Sequence, residues 1–159
     1  MLLTIDVGNT NTVLGIFNGE TLVKSWRVKT DARDTADELW IRFSSLLDDY
    51  EVKALAICST VPSSLRELRT MIDTYFTDTP ATIVEPGVKT GVPLLVDNPK
   101  EIGADRIVNT LAAHELYGES GPCIVVDFGT STNLDVVSRS EEHTSELQSL
   151  RHLVCRLLL

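Results

Sequence analysis

The sequence predicts a mixed α/β protein with an internal duplication, and three observations carry that prediction. Two stretches nearly repeat each other: Ile5-Asp6-Val7-Gly8-Asn9-Thr10-Asn11-Thr12 and Val126-Asp127-Phe128-Gly129-Thr130-Ser131-Thr132-Asn133. In each, an apolar run reaches an Asp, a Gly comes two residues later, and short hydroxyl and amide side chains come next. Residues 12–18 and 21–28 flank Asn18-Gly19-Glu20, a hairpin turn in which Asn-Gly tolerates φ > 0. Helical spacings then alternate with short continuous apolar runs, the pattern of helices between buried strands. A strand ending in Asp-x-Gly presents a carboxylate, a flexible turn and small donors at one point. That equipment suits a nucleotide's phosphates and their metal ion, and two copies suggest two related domains facing across a nucleotide cleft.

Taken in order, residues 2–7 form the first apolar strand, and the hairpin comes next. Thr35-Ala36-Asp37-Glu38 has the form of a capping box, opening a helix with Leu39, Phe43, Leu46 and Leu47 at helical spacing. Residues 53–58 are a continuous apolar run, as in a strand buried on both faces. Ser59-Thr60-Val61-Pro62 leads into a helix over 62–76, with Pro in its first turn. Residues 81–84 make another short strand. From 85 to 99 Gly, Pro, Asn and Asp break the pattern, apart from a brief apolar run at 92–96, and long loops of this kind disproportionately carry function. A helix over 102–117 precedes the second strand that ends at an Asp, residues 123–127. The domain boundaries read as 1–118 for a first domain and 119–138 for the start of a second.

At 159 residues the chain holds one ordinary domain, or one small domain and part of another. Its mean hydropathy of +0.06 fits a globular protein with a real core. A net charge of −9 without a basic run argues against duplex nucleic acid and anionic membrane as partners. Such a protein must bind an anionic nucleotide locally, through backbone N–H groups, a metal ion and a few cations. The N-terminus reads as a strand and not as a leader, and no run approaches the ~18 apolar residues of a membrane span. Cys58, Cys123 and Cys155 are widely spaced and form no C-x-x-C pair, which suggests neither disulfides nor zinc. A cytoplasmic protein is the expectation.

After Ser138 the composition changes sharply. Residues 139–149 are recognised, codon by codon, as the translation of a short-read sequencing adapter, and the remainder to Leu159 as its continuation. An amphipathic C-terminal helix is the alternative. His143, His152 and Cys155 therefore leave all site reasoning. Arg139, Arg151 and Arg156 balance Glu141, Glu142 and Glu146 there, so the net charge belongs to residues 1–138.

Three constellations before that point carry chemistry. In residues 6–13 Gly8 allows close backbone approach to a phosphate, Thr10, Asn11 and Thr12 add neutral donors, and Asp6 suits Mg²⁺. The alternative is a turn whose Asp and Asn satisfy their own backbone. At Gly103-Ala104-Asp105-Arg106, Arg106 offers a fork for a carboxylate and Asp105 a base for a substrate hydroxyl. Spacing alone favours a first helical turn, with Asp stabilised by the dipole and Arg solvated. Lys89, in Pro86-Gly87-Val88-Lys89-Thr90-Gly91, stands either near an anion or in an exposed turn. His114 reads as structural or solvent-facing, Trp26 and Trp40 as packing anchors, and Cys58 and Cys123 as small hydrophobes.

Asp6-Val-Gly-Asn-Thr-Asn, the Pro86–Gly91 segment, Asp97-Asn98-Pro99 with Gly103-Ala104-Asp105-Arg106, and Asp127-Phe-Gly-Thr-Ser-Thr together resemble type III pantothenate kinase across residues 1–138. The resemblance implies a duplicated ribonuclease-H-like fold of the actin-like ATPase superfamily, with the first domain complete and the second truncated. It implies phosphorylation of pantothenate by ATP to 4'-phosphopantothenate, the first step of coenzyme A synthesis, by cytoplasmic homodimers that need Mg²⁺ and K⁺ or NH₄⁺. By resemblance Asp6, Val7, Gly8, Asn9, Thr10, Asn11, Thr12, Val13 and Thr130 contact ATP, with Asp6 also placed for Mg²⁺. Gly103, Ala104, Asp105 and Arg106 contact pantothenate, Asp105 is the catalytic base, and Asp127 ligates the monovalent cation. A nucleotide-binding regulatory protein on the same fold is the alternative. The family continues past Asp127 with a Gly-rich turn, further strands and helices, so the chain as written is expected to be inactive. Reading the gene from genomic DNA across the Ser138 codon is expected to show a frame entering that Gly-rich region. A genomic frame encoding residues 139–159 would refute this.

Overall fold

The computed structural model describes residues 1–90, 94–95, 98, 102–129, 132–138 and 145–148, with the side chains of 94–95 and 145–148 left aside. The chain divides into two compact units, Met1–Glu85 and Pro86–Leu159.

The first unit is a five-stranded sheet in the order β3-β2-β1-β4-β5. Its strands are β1 (Leu2–Val7), β2 (Asn11–Asn18), β3 (Thr21–Lys29), β4 (Ala54–Ser59) and β5 (Ala81–Val84). The first three run antiparallel through tight turns, with Gly19 at φ 60° in the β2–β3 turn. Parallel pairing of β1 with β4 and of β4 with β5 requires crossovers, supplied by α1 (Ala36–Leu47) and α2 (Pro62–Tyr75). The pleat sends Leu3, Ile5 and Val7 to one face, where Leu14, Ile16, Leu55 and Ile57 join them beneath Phe43, Leu68 and Met71 of the helices. Trp40 stacks on Tyr75 at 4.7 Å and meets Phe76 edge-on, tying the two helices together. The Tyr75 hydroxyl donates to Asp37 Oδ1 at 2.6 Å, which raises its pKa.

Helix α1 starts where the capping box sets it. The Glu38 N–H donates to Thr35 Oγ1, and the Thr35 N–H donates back to Glu38 Oε2 at 2.9 Å. Helix α2 has no side-chain cap and begins with Pro62, whose missing N–H would have had no helical partner.

The second unit holds α3 (Ala104–Tyr117) and a sheet ordered β6-β9-β8-β7. Its strands are β6 (Leu94–Leu95), β7 (Cys123–Phe128), β8 (Thr132–Val137) and β9 (Ser145–Gln148). Strands β8 and β9 have no counterpart in the sequence reading, because Asn133 and Asp135 dilute the apolar signal of β8. Antiparallel pairing with β7 overrides those weak propensities. Helix α3 packs on the β7–β8 hairpin, so compactness groups it with the second unit, whereas the sequence reading draws the boundary after it, at 118. No described helix is long and apolar enough to cross a membrane.

The duplication is visible as two hairpins, β1–β2 and β7–β8, each with its Asp one residue before the first strand ends. Their apolar faces differ. Leu3, Ile5 and Val7 are 0–3% exposed, while the equivalent Ile124, Val126 and Phe128 are 59%, 46% and 83% exposed. In β7–β8 the face under α3 is the opposite one, carrying Val137 and Asp135, both buried.

Thr35→Ala is expected to destabilise the protein by about 1 kcal/mol at neutral pH, read by chemical denaturation. The Thr35 backbone N–H, then its hydroxyl, hold the Glu38 carboxyl below its usual range. A depressed folded-state pKa stabilises above the unfolded value and loses that contribution as pH falls through the folded one. The gap between wild type and variant should therefore narrow below about pH 4.

Candidate functional site

In the first unit the site is built on the C-terminal end of β1. Because Leu3, Ile5 and Val7 face the core, Asp6 projects from the other face and is exposed. The parallel register sets Cys58 of β4 beside it, and the Cys58 thiol donates to Asp6 Oδ1 at 3.2 Å. The turn beyond is closed by Gly8 N–H donating to the Asn11 carbonyl at 3.0 Å. Thr60 braces it from β4's end: its N–H and its hydroxyl both donate to the Val7 carbonyl, at 2.9 and 3.3 Å. On the far side Thr30 N–H donates to the Thr10 carbonyl at 3.0 Å, and the Thr12 and Thr30 hydroxyls pair at 2.9 Å.

The predicted residues thus divide. Asn9 and Thr10 are exposed, Gly8, Asn11 and Val13 are half-buried, and Thr12 and Val7 are buried, Thr12 with its hydroxyl engaged. A Cβ at Gly8 would lie 3.3 Å from the Asn11 carbonyl oxygen, so close approach, not a left-handed backbone, calls for glycine there.

In the second unit Gly103 is the N-cap of α3 and Asp105 stands in its first turn, where the helix dipole favours a carboxylate. Asp105 Oδ1 accepts the Arg106 N–H at 2.8 Å. Arg106 is not solvated. Its side chain is 18% exposed, and its Nε–H donates to Asp135 Oδ1 at 3.0 Å while Nη2 pairs with the same oxygen. Asp135 is 1% exposed, and its Oδ2 is buried with no hydrogen-bond partner among the described residues. Asp127, half-buried and opposite Asn133, is on the same face of the hairpin as Asp135.

Thr130, Gly91, Asp97 and Pro99 lie outside the described residues, as do residues 139–144 and 149–159 of the expected tail. Lys89 is exposed, and His114 Nδ1 stands 3.8 Å from Glu115 Oε1. No group of three or more His, Cys, Asp or Glu side chains suited to a metal ion occurs among the described residues. The sequence reading missed Asp135, Thr60 and Thr30, and took Cys58 for a hydrophobe. Only Asp135 left a signal: a lone carboxylate within Leu134-Asp135-Val136-Val137, on the parity of a strand's buried face.

Solved structures of the same architecture define the class. A candidate sugar kinase of Cytophaga hutchinsonii superimposes with a TM-score of 0.53 at 14% identity, covering 87% of this chain and 48% of that one. A candidate N-acetylmannosamine kinase of Listeria monocytogenes gives 0.51 at 12%, over 92% and 48%. The fold is therefore the ribonuclease-H-like one of sugar kinases and actin-like ATPases. Within that class the chain belongs to the type III pantothenate kinase family, whose model matches residues 2–147. Type III pantothenate kinases of Frankia casuarinae and Salinispora arenicola are 65% and 64% identical to it, over 89% and 87% of this chain and 56% and 55% of theirs. One of Streptomyces griseus is 58% identical, over 91% and 57%. The chain spans about half the length of these curated relatives.

Gly8→Ala is expected to crowd the Asn11 carbonyl and weaken the turn's closing bond. Stability should fall by about 1 kcal/mol in thermal or chemical denaturation. An unchanged midpoint would show that the turn yields without cost.

Proposed function

We propose that the full-length protein transfers the γ-phosphoryl group of ATP to the primary hydroxyl of pantothenate, giving 4'-phosphopantothenate and opening coenzyme A synthesis. Membership of the family, at 57–65% identity to several named members, is the observation that carries this reading. The two braced carboxylate sites support it chemically.

The β1–β2 turn suits the phosphates. Its Gly8 admits close approach, and Asp6, exposed and bonded by a thiol on Oδ1, fits a Mg²⁺ that prefers carboxylate and water oxygens. Bound there, Mg²⁺ would neutralise phosphate charge that an acidic protein could not. Residues 6–13, with Thr130, would form the ATP contacts. Gly103, Ala104 and Arg106 would hold pantothenate, Arg106 through the substrate's carboxylate, and Asp105 would accept the proton of the attacking hydroxyl. Asp127, a strand-end carboxylate, is the ligand for K⁺ or NH₄⁺ in this reading. The working form would be a cytoplasmic homodimer.

The test is ADP release by the full-length protein. Release that depends on pantothenate is expected, with Asp105→Asn lowering kcat by roughly 10²–10⁴-fold and leaving the KM for ATP nearly unchanged. Nucleotide binding without pantothenate-dependent release would favour the regulatory protein instead.

A further inference from the structure

The Arg106–Asp135 pair is a poor way to hold a helix on a hairpin. Asp is depleted in strands, and a carboxylate taken out of water loses more solvation than a single partner restores unless its other lone pairs are also met. Here they are not: both contacts fall on Oδ1, and Oδ2 is buried without a partner among the described residues. The neighbouring position shows the simpler solution, since Val137, 0% exposed, packs under the same helix next to it on that face. Apolar residues would attach α3 at least as well.

What the pair does accomplish is to fix the guanidinium. A free Arg side chain has many rotamers to lose when it is immobilised. Nε and Nη2 are anchored on one oxygen of a side chain that is itself held in the middle of β8. Among the described residues no other side chain takes the Nη1 hydrogens, which leaves that arm of the fork open there to an incoming acceptor. Arg106 directly follows Asp105 in the first turn of α3, so fixing one fixes the backbone that carries the other.

We propose that Asp135 is a positioning residue. It pre-orients Arg106 to receive the substrate's carboxylate. This rests on the pantothenate kinase reading above. Asp135 itself touches no substrate.

The experiment compares the kinetics for pantothenate with those for ATP in the full-length protein. For Asp135→Asn, kcat/KM for pantothenate should fall roughly tenfold or more, through its KM, while the KM for ATP changes by less than about twofold. An equal loss for pantothenate and for ATP would mean that Asp135 only supports the fold, and no loss for either would mean that Arg106 needs no anchor. Either result overturns the inference while leaving the kinase reading intact. A wild-type protein without pantothenate-dependent ADP release would overturn the kinase reading itself, and the inference with it. Should the variant fail to fold, the Arg106 Nε–H resonance of wild-type protein decides. A sharp, slowly exchanging signal before pantothenate is added is expected. One that sharpens only on addition would overturn pre-orientation.

Discussion

Strand β1 is hydrogen-bonded on both sides, to β2 antiparallel and to β4 parallel, and its pleat admits one arrangement of side chains. Leu3, Ile5 and Val7 are buried against α1 and α2. A slip of one residue would bring them to the opposite face and drive Asp6 into the core. Burial of these three side chains therefore decides where the carboxylate emerges, which β4 residue lies beside it and where the chain must turn. The Cys58 thiol and the two bonds from Thr60 to the Val7 carbonyl are consequences of that register. The exposed end of the strand is thus precise because its buried part is immovable.

The same pleat operates in β7–β8 with the helix on the other side. There Asp127 and Asp135 share a face with buried Val137, under α3, and Ile124, Val126 and Phe128 turn outward. A repeated sequence has produced the same hairpin in two environments. The second differs from the first in its covering: the counterpart of the layer formed by α1 and α2 is missing among the described residues. Since the chain spans about half the length of its relatives, each unit has to be understood on its own contacts.

A net charge of −9 sets a constraint on any anionic ligand. In the proposed reading it is met locally and sparingly. Gly8 leaves the β1–β2 turn open to close approach, small hydroxyls brace that turn, and the cation next to Asp105 is held in place by a buried carboxylate. Long-range attraction plays little part in such a design. Surface charge at ordinary ionic strength is screened within about 8–10 Å, whereas a desolvated guanidinium acts at contact.

Most of the first unit was legible in the chain. Strands β1, β2, β3, β4 and β5, the capping box at Thr35 and both helices lie within a residue or two of where alternation, turn chemistry and helical spacing put them. These are local signals, set by neighbours in sequence. The duplicated Asp-x-Gly turns and the Asp105-Arg106 helix start were likewise visible as residue types. Tertiary structure was required for every contact between segments far apart in the chain. Cys58 looks like a hydrophobe until the parallel register lays it beside Asp6, 52 residues away. Asp135 reads as an interruption in an apolar run until α3 brings Arg106 to it across 29 residues. Strand β8 exists because β7 pairs with it, not because Thr-Asn-Leu-Asp-Val-Val prefers to be extended. The sequence by itself determined which groups could do chemistry. Only the fold decided which of them are held still, because immobilising a side chain takes partners that chain propensity cannot supply.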